Sequence, residues 1–165
     1  MTLVKPPYHV GMVVPDVPLA MEELTEVLGV SWGRIQRREN TMDTPQGPAP
    51  TEVCFAYTLD GPPHLEVIEQ RPGTVFATLG LHHLGLWTDD QHAESTRLGD
   101  AGWPRETVSV LPDGTWGGGL YHVGLDCVRL ELVDISRSEP RLRNYLAGGD
   151  YDLPDVGGSG RGRSA

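Results

Sequence analysis

Basic side chains are scarce in this sequence. Its 165 residues carry 13 lysines and arginines against 23 aspartates and glutamates, a formal net charge of -10. A protein that neutralises phosphates along a nucleic acid needs the opposite sign, so nucleic acid is set aside as a partner. Cysteine is nearly absent. Cys54 and Cys127 stand far apart and neither belongs to a C-x-x-C pair, which argues against a thiolate zinc site or a disulfide framework. Both are expected to be reduced, buried small residues. Long apolar runs are missing too: no segment approaches the roughly 18 consecutive apolar residues of a membrane span, and the N-terminus lacks the basic start and apolar stretch of a signal. The expectation is a soluble, cytoplasmic chain with no membrane partner. Its length suits one domain of ordinary size, or two small modules sharing a core.

Histidine is better represented, with six residues: His9, His64, His82, His83, His92 and His122. Two of them stand in near-copies of one pattern. Tyr8 to Val17 reads YHVGMVVPDV and Leu81 to Asp90 reads LHHLGLWTDD, so that His83 falls on His9, Gly85 on Gly11 and Asp90 on Asp16. Each reads as a strand that carries a histidine inward and then turns into a helix. Such a repeat divides the chain into two halves by internal duplication.

In the first half, alternation puts His9, Gly11 and Val13 on one strand face, and Asp16 caps a helix with Pro18 in its first turn and Gly29 at its end. Leu19, Ala20, Leu24, Val27 and Leu28 recur at helical spacing as its apolar face. Trp32 to Glu39 reads as a strand, and Asn40 to Pro50, with three prolines and a glycine, as a loop. Glu52 to Thr58 and His64 to Glu69 read as strands joined by the turn Asp60-Gly61-Pro62-Pro63. The second half repeats the order more loosely. A strand from Leu81 is followed by a helix from Gln91 to Ala101, strands at Glu106 to Val110, Leu120 to Gly124 and Val128 to Asp134, and a glycine-rich loop, Leu111 to Gly119. Both loops are expected to act as flexible covers over a pocket. The boundaries are residues 1–72 for the first module, 73–147 for the second with a short helical piece near Leu142 to Leu146, and 148–165 for a disordered tail.

The last strands of the halves also match: HLEVIE at 64–69 lies over RLELVD at 129–134, and Glu66 falls on Glu131. Their apolar neighbours must face the opposite side of the sheet, which turns both glutamates the same way as His9 and His83. A carboxylate on an enclosed strand face is costly unless it is paired or metal-bound. One divalent cation held by His9, Glu66, His83 and Glu131 gives all four side chains a common reason, with positions left for water or substrate. The register selects His83 over His82 and sends His82 to the opposite face.

At these residues the sequence resembles the vicinal oxygen chelate superfamily, which includes glyoxalase I, methylmalonyl-CoA epimerase, extradiol dioxygenases and bleomycin-resistance proteins. The resemblance runs from about residue 8 to 135, is closest to the glyoxalase-like branch, and rests on HVGMVVPD, PHLEVIE, HHLGLWTDD and RLELVD. It implies an α+β fold in which two β-α-β-β-β modules form an open, cup-shaped mixed sheet with helices on its outer face. It implies the same four ligands, with zinc, nickel, cobalt, manganese or iron as the divalent metal ion, and assembly as a homodimer. No segment matches those with which glyoxalase I holds glutathione.

The chemistry that follows is a metal-dependent lyase or isomerase, glyoxalase- or epimerase-like. It chelates two adjacent substrate oxygens and stabilises the enediolate or enolate left after proton loss. Glu131 is favoured over Glu66 as the base, and His122 is expected to face the cup as a further acid or base. Trp87 is expected as an apolar wall, Trp116 as a cover, and Arg34, in a basic group with Arg37 and Arg38, as a contact for an anionic tail. Two alternatives stand beside this: an iron(II) extradiol-type dioxygenase, and a metal-free binding protein of the drug-resistance type.

Overall fold

In the computed structural model, residues 6–124 and 128–152 are described. Residues 1–5, Cys127, and residues 153–165 of the expected tail lie outside them. Alternation in His9–Val14 makes a strand, β1, in which His9, Gly11 and Val13 are buried and their neighbours only partly so. Pro15 ends it, and Asp16 caps α1, Val17–Leu28, its carboxylate accepting the Leu19 N–H at 2.9 Å. Gly29 closes the helix in the left-handed region at φ 70°. The buried side of α1 is narrower than the sequence suggests. Ala20, Met21 and Leu24 pack on the sheet, while Leu19, Val27 and Leu28 are exposed.

Three strands complete the first half: β2, Gln36–Thr44; β3, Gly47–Tyr57; and β4, His64–Glu69. The second half supplies β5, Gly80–Thr88; α2, Gln91–Asp100; β6, Arg105–Val110; β7, Trp116–Val123; β8, Arg129–Asp134; and α3, Ile135–Leu146. Eight strands form a mixed sheet in the order β1-β4-β3-β2-β6-β7-β8-β5, curved until it closes on itself. The modules meet at two joints. β1 and β5 run antiparallel through five residue pairs, from His9↔Gly85 to Val13↔Gly80, whereas β2 and β6 pair only through Thr41, Met42 and Asp43. The cup expected from the repeat is present, and the short β2–β6 pairing joins its rim.

Both expected loops prove to be largely strand. Asn40 to Pro50 is the far end of a long hairpin turning at Pro45 and Gln46. Its prolines are tolerated because β4 pairs with β3 only at Phe55 to Tyr57, so Pro48 and Pro50 lie where β3 has no second neighbour and needs no second row of donors. In the glycine-rich stretch only Leu111 to Thr115 turns, and Gly117 to Gly119 belong to β7. A Cβ at Gly117 would stand 2.4 Å from Ser109 Oγ on the adjacent strand, so glycine there permits close cross-strand approach.

The outer sheet face is covered by α1, whose Val17 packs with Cys54, Ala56 and Val67, and by α2, whose Leu98 packs with Val108, Leu120 and Leu132. Each fully buried side chain of this kind contributes roughly 1.5–3 kcal/mol. The third helix departs from the expected plan. α3 joins the aromatic cluster on the inner face through Leu142 and Tyr145. The Tyr145 hydroxyl accepts the Tyr57 N–H at 3.1 Å and donates to the Arg34 carbonyl at 2.8 Å, latching the end of the second half onto the first. Tyr151, expected in a disordered tail, is buried beside Phe55 and Tyr57. No helix among the described residues is long and apolar enough to cross a membrane.

Candidate metal centre

Parallel pairing of β1 with β4 and of β5 with β8, together with the β1–β5 joint, brings the ends of both repeats to one point. His9, Glu66, His83 and Glu131 are all buried there, and each offers a ligand atom within 4.8 Å of the others. His9 Nε2 lies 3.4 Å from Glu66 Oε2 and 3.0 Å from Glu131 Oε2; His83 Nε2 lies 3.3 and 3.4 Å from the same two atoms. The two imidazole nitrogens are 2.7 Å apart. Three of the four nitrogen–oxygen separations are long for hydrogen bonds. They match the roughly 3.0–3.5 Å expected between ligands sharing an ion at bond lengths of about 2.0–2.2 Å. The donor set, two nitrogens and two carboxylate oxygens, suits a borderline divalent cation, so these residues fit the group the sequence implies.

The repeated glycines explain how the imidazoles come so close. His9 faces Gly85 across the joint and Gly11 faces His83. A Cβ on Gly85 would stand 1.9 Å from His9 Cε1, and one on Gly11 would stand 2.0 Å from His83 Cε1. Each histidine therefore occupies the space of a side chain missing from the other copy.

His82 does not point away as expected. The β1–β5 register slips between Gly11, which pairs with His83, and Met12, which pairs with Leu81, leaving His82 as the extra residue of a bulge. Its ring is buried behind His83. His82 Nε2 donates to the Val75 carbonyl at 2.8 Å, so its Nδ1 holds the lone pair and accepts from His83 Nδ1 at 2.9 Å. In the neutral ring, the form that binds a cation, this puts the lone pair of His83 on Nε2, the atom aimed at the cluster. Burial first, then the neighbouring His83 charge, push His82 down to about 4, so it stays neutral. His9 has no such backing: its Nδ1 is buried without a partner, and the ring is held by edge contacts with Tyr8 and Tyr57. Removing the backing ring with His82→Phe is expected to weaken divalent-ion binding about 10–100-fold in competition with a chelator. Unchanged affinity would count against this role.

Burial alone raises a carboxyl pKa, yet hydrogen bonds from His83 and His9 hold Glu66 down to about 2, and the His83 charge leads the causes that hold Glu131 lower still. The histidines move the opposite way. Burial disfavours their charge, but the Glu131 and Glu66 carboxylates outweigh it, carrying His83 up to about 9 and raising His9 as well. Tyr8, Tyr57 and Tyr121 surround the cluster, and burial keeps their phenols protonated well above 10. A cavity of about 670 Å³ opens over the carboxylates, with Glu66, Glu131, Tyr57 and Tyr121 in its wall.

The other expected site residues lie elsewhere. His122 does not face the cup. Tyr121 pairs with Glu131 and takes the inward position, while His122 turns to the helix side, with Nε2 2.8 Å from Ser95 Oγ and Nδ1 donating to the Trp103 carbonyl. Trp116 is no cover: it packs under α2, stacks on His92 at 3.8 Å, and lies beneath the Arg105 guanidinium. Trp87 belongs to the inner cluster but stacks behind Tyr8 at 3.6 Å and is absent from the cavity wall. Arg34 precedes β2, is 68% exposed, and meets Asp150 at 3.8 Å. The cations of the cavity wall are Arg38, Arg137 and Arg141 instead. Strict alternation along β2 marks Arg38, and the spacing of Arg137, Arg141 and Tyr145 marks one face of a helix. Both signals were open to reading once those elements were assigned.

Several solved structures share this architecture. Methylmalonyl-CoA epimerase from Mycobacterium tuberculosis matches with a TM-score of 0.57 and 19% identity, covering 81% of this chain and 90% of its own. A single-residue variant of the Streptomyces coelicolor methylmalonyl-CoA epimerase, in complex with 2-nitronate-propionyl-CoA, matches at 0.54 and 16%, covering 79% and 94%. A hypothetical protein of Bacillus halodurans C-125 matches at 0.57 and 14%, covering 81% and 95%. At these identities the likeness is one of fold. No curated protein matches by sequence. The profile of one family does match, over residues 8–118, which takes in all of the first repeat, the second histidine strand and the second helix. By that span, more than half of the sequence, the chain belongs to the Glyoxalase/Bleomycin resistance protein/Dioxygenase superfamily.

Proposed function

We propose that this chain is a metal-dependent isomerase or lyase that removes a proton from carbon beside a chelated carbonyl. The observation that carries this reading is the convergence of two imidazoles and two carboxylates on one point at the floor of a cavity of about 670 Å³. A divalent cation held by His9, Glu66, His83 and Glu131 would supply Lewis acidity toward two adjacent substrate oxygens and stabilise the enolate or enediolate. The remaining work falls to the chain itself. Glu131 turns Oε2 toward the histidines, while its Oε1 lies 3.3 Å from where a Cβ on Gly119 would stand, beside the cavity wall. That second oxygen is turned away from the histidines and within reach of the Tyr121 hydroxyl, which makes Glu131 the preferred base, with Glu66 across the cluster able to return the proton on the other face. The buried phenols of Tyr57 and Tyr121 are held protonated, so they donate hydrogen bonds rather than act as bases. Four protein donors rather than three favour this non-redox chemistry over the iron(II) facial triad of extradiol cleavage. Two buried carboxylates are a poor lining for metal-free capture of a neutral ligand. The methylmalonyl-CoA epimerase neighbours support a substrate whose acidic C–H lies between two carbonyl groups.

The test is solvent exchange. Protein loaded with a divalent ion is incubated with a 2-methylmalonyl thioester and with a 2-hydroxyketone in deuterium oxide, and loss of the α-proton is followed by NMR. Exchange is expected with at least one probe, falling about 10²–10⁴-fold in Glu131→Gln. Metal analysis of protein purified without added ion or chelator is expected to show about one ion per chain, lost in His9→Ala. Equal metal content in wild type and His9→Ala would remove the centre on which this function depends.

A further inference from the structure

Three guanidiniums gather at the rim of the cavity in a chain that is acidic overall. They come from two distant segments. On β2 the burial alternates so that Gln36, Arg38, Asn40 and Met42 turn inward while Arg37, Glu39 and Thr41 are exposed. On α3, Arg137 and Arg141 stand one turn apart on the side that carries the buried Ser138 and Leu142. Arg137 donates to the Trp116 carbonyl at 2.8 Å. Arg38 and Arg141 instead lean on a single carboxylate oxygen, Asp152 Oδ1, at 3.5 and 3.2 Å.

That carboxylate is poorly held. Each guanidinium has five N–H donors in a fork suited to grip both oxygens of a carboxylate, yet here two forks share one oxygen at long range. Arg38 Nε is buried with no partner. The Arg38 guanidinium is nonetheless fixed in place, its carbon 5.1 Å from the Phe55 ring centre and 5.2 Å from that of Tyr151. Asp152 itself is 59% exposed, on a short strap in which Tyr151 packs against Phe55 and Tyr57. The Tyr151 N–H donates to Gln36 Oε1 at 3.1 Å, and Asn144 donates to the Asp150 carbonyl at 2.7 Å. A rigid, under-used pair of forks filled by an exposed side chain has the form of an anion seat with an exchangeable occupant.

We infer that Arg38 and Arg141 form a carboxylate seat for the far end of the substrate, which Asp152 fills in the free protein and vacates on binding. Resting on the chelation reading above, this narrows the substrate class to diacids: adjacent oxygens at one end for the metal centre, and a free carboxylate at the other for the seat. The strap that carries Asp152 also carries Tyr151, so the incoming carboxylate loosens the aromatic plug at the rim as it displaces Asp152.

Matched probes separate the two readings. Titration calorimetry on the ion-loaded full chain compares 2-oxoglutarate with 2-oxopentanoate, and 2-oxoadipate with 2-oxohexanoate. Within each pair the chelating end is identical and only the far carboxylate differs. At least one diacid is expected to bind about tenfold more tightly than its partner, since a charge-assisted contact exchanged for a better one gains of that order. Arg141→Gln, at a half-buried position, should abolish the preference, and Asp152→Asn, which removes the competing charge, should widen it several-fold. Equal affinities within both pairs, or a preference that Asp152→Asn leaves untouched, would overturn the seat while the chelation reading stands. If no probe binds the loaded protein, chelation fails and the seat falls with it.

Discussion

A single methyl group added at Gly85 is expected to dismantle the metal centre while leaving the barrel folded. The β1–β5 pairing sets His9 directly across from Gly85, and the added carbon would sit 1.9 Å from His9 Cε1 and 2.1 Å from its Nδ1. His9 is fully buried between Tyr8 and Tyr57, so its ring has no free space to turn into, and its strand is paired on both sides, with β4 and with β5. Overpacking of this kind costs about 1–3 kcal/mol, which a folded barrel withstands. A ligand nitrogen forced off its position is not withstood, because coordination tolerates errors of only about 0.5 Å. Gly85→Ala should therefore lose its ion on purification and keep a cooperative thermal transition. Gly11→Ala is expected to act the same way through His83. Gly118→Ala, in the cavity wall with its nearest neighbour, Ser138 Oγ, at 3.6 Å, is the control and should retain the ion. Full metal content in Gly85→Ala would mean that the two repeats do not interlock through their glycines.

Removing the ion should also expose an unusual dependence of stability on pH. The folded-state pKa of His83, raised to about 9 from an ordinary 6.5, contributes stability that is complete below about pH 6.5 and is lost as the pH rises through about 9. Glu66, held down to about 2, contributes stability that is present above about pH 4.5 and is lost only as the pH falls through about 2. The two windows overlap near pH 4.5 to 6.5, where metal-free protein should be most stable. Urea midpoints of chelated protein are thus expected to fall between about pH 6 and pH 9.5. With the ion bound the trend should reverse, because coordination needs the histidines neutral and each proton shed on the alkaline side favours the complex. A metal-free midpoint that stays level across this range would show that the imidazoles do not share protons with Glu66 and Glu131.

The four cluster residues were legible in the sequence because each lies in a regular strand, where period two fixes the face and duplication fixes the partner. Glu66 and Glu131 have apolar neighbours on both sides, and nothing interrupts that alternation before the ladder ends. The misplacements have one common source, which is that a face cannot be assigned until a strand's start is known. β7 opens on Trp116 and runs at once through three glycines that show no alternation, so His122 could not be distinguished from Tyr121 as the inward residue. The prolines after Asn40 hid the length of β2, and with it the inward parity of Arg38; Arg34 lies before the strand begins. His82 was misassigned because a bulge adds one residue to one strand only, a slip that the H-x-G register does not encode. α3 was read as a fragment because its apolar side is only Leu142, Tyr145 and a serine, and its role depends on aromatic partners far away in the chain.

The unequal lengths of the two joints between the halves divide the ring mechanically. Of the two joints, the one with fewer backbone hydrogen bonds to part is the short β2–β6 contact at Thr41 to Asp43, and separation of the halves starts there. The cation cage straddles the other joint, on the far side of the circumference, where five residue pairs keep the halves in register. A gap can thus widen and narrow like a clasp while the hinge opposite it keeps His9, Glu66, His83 and Glu131 together.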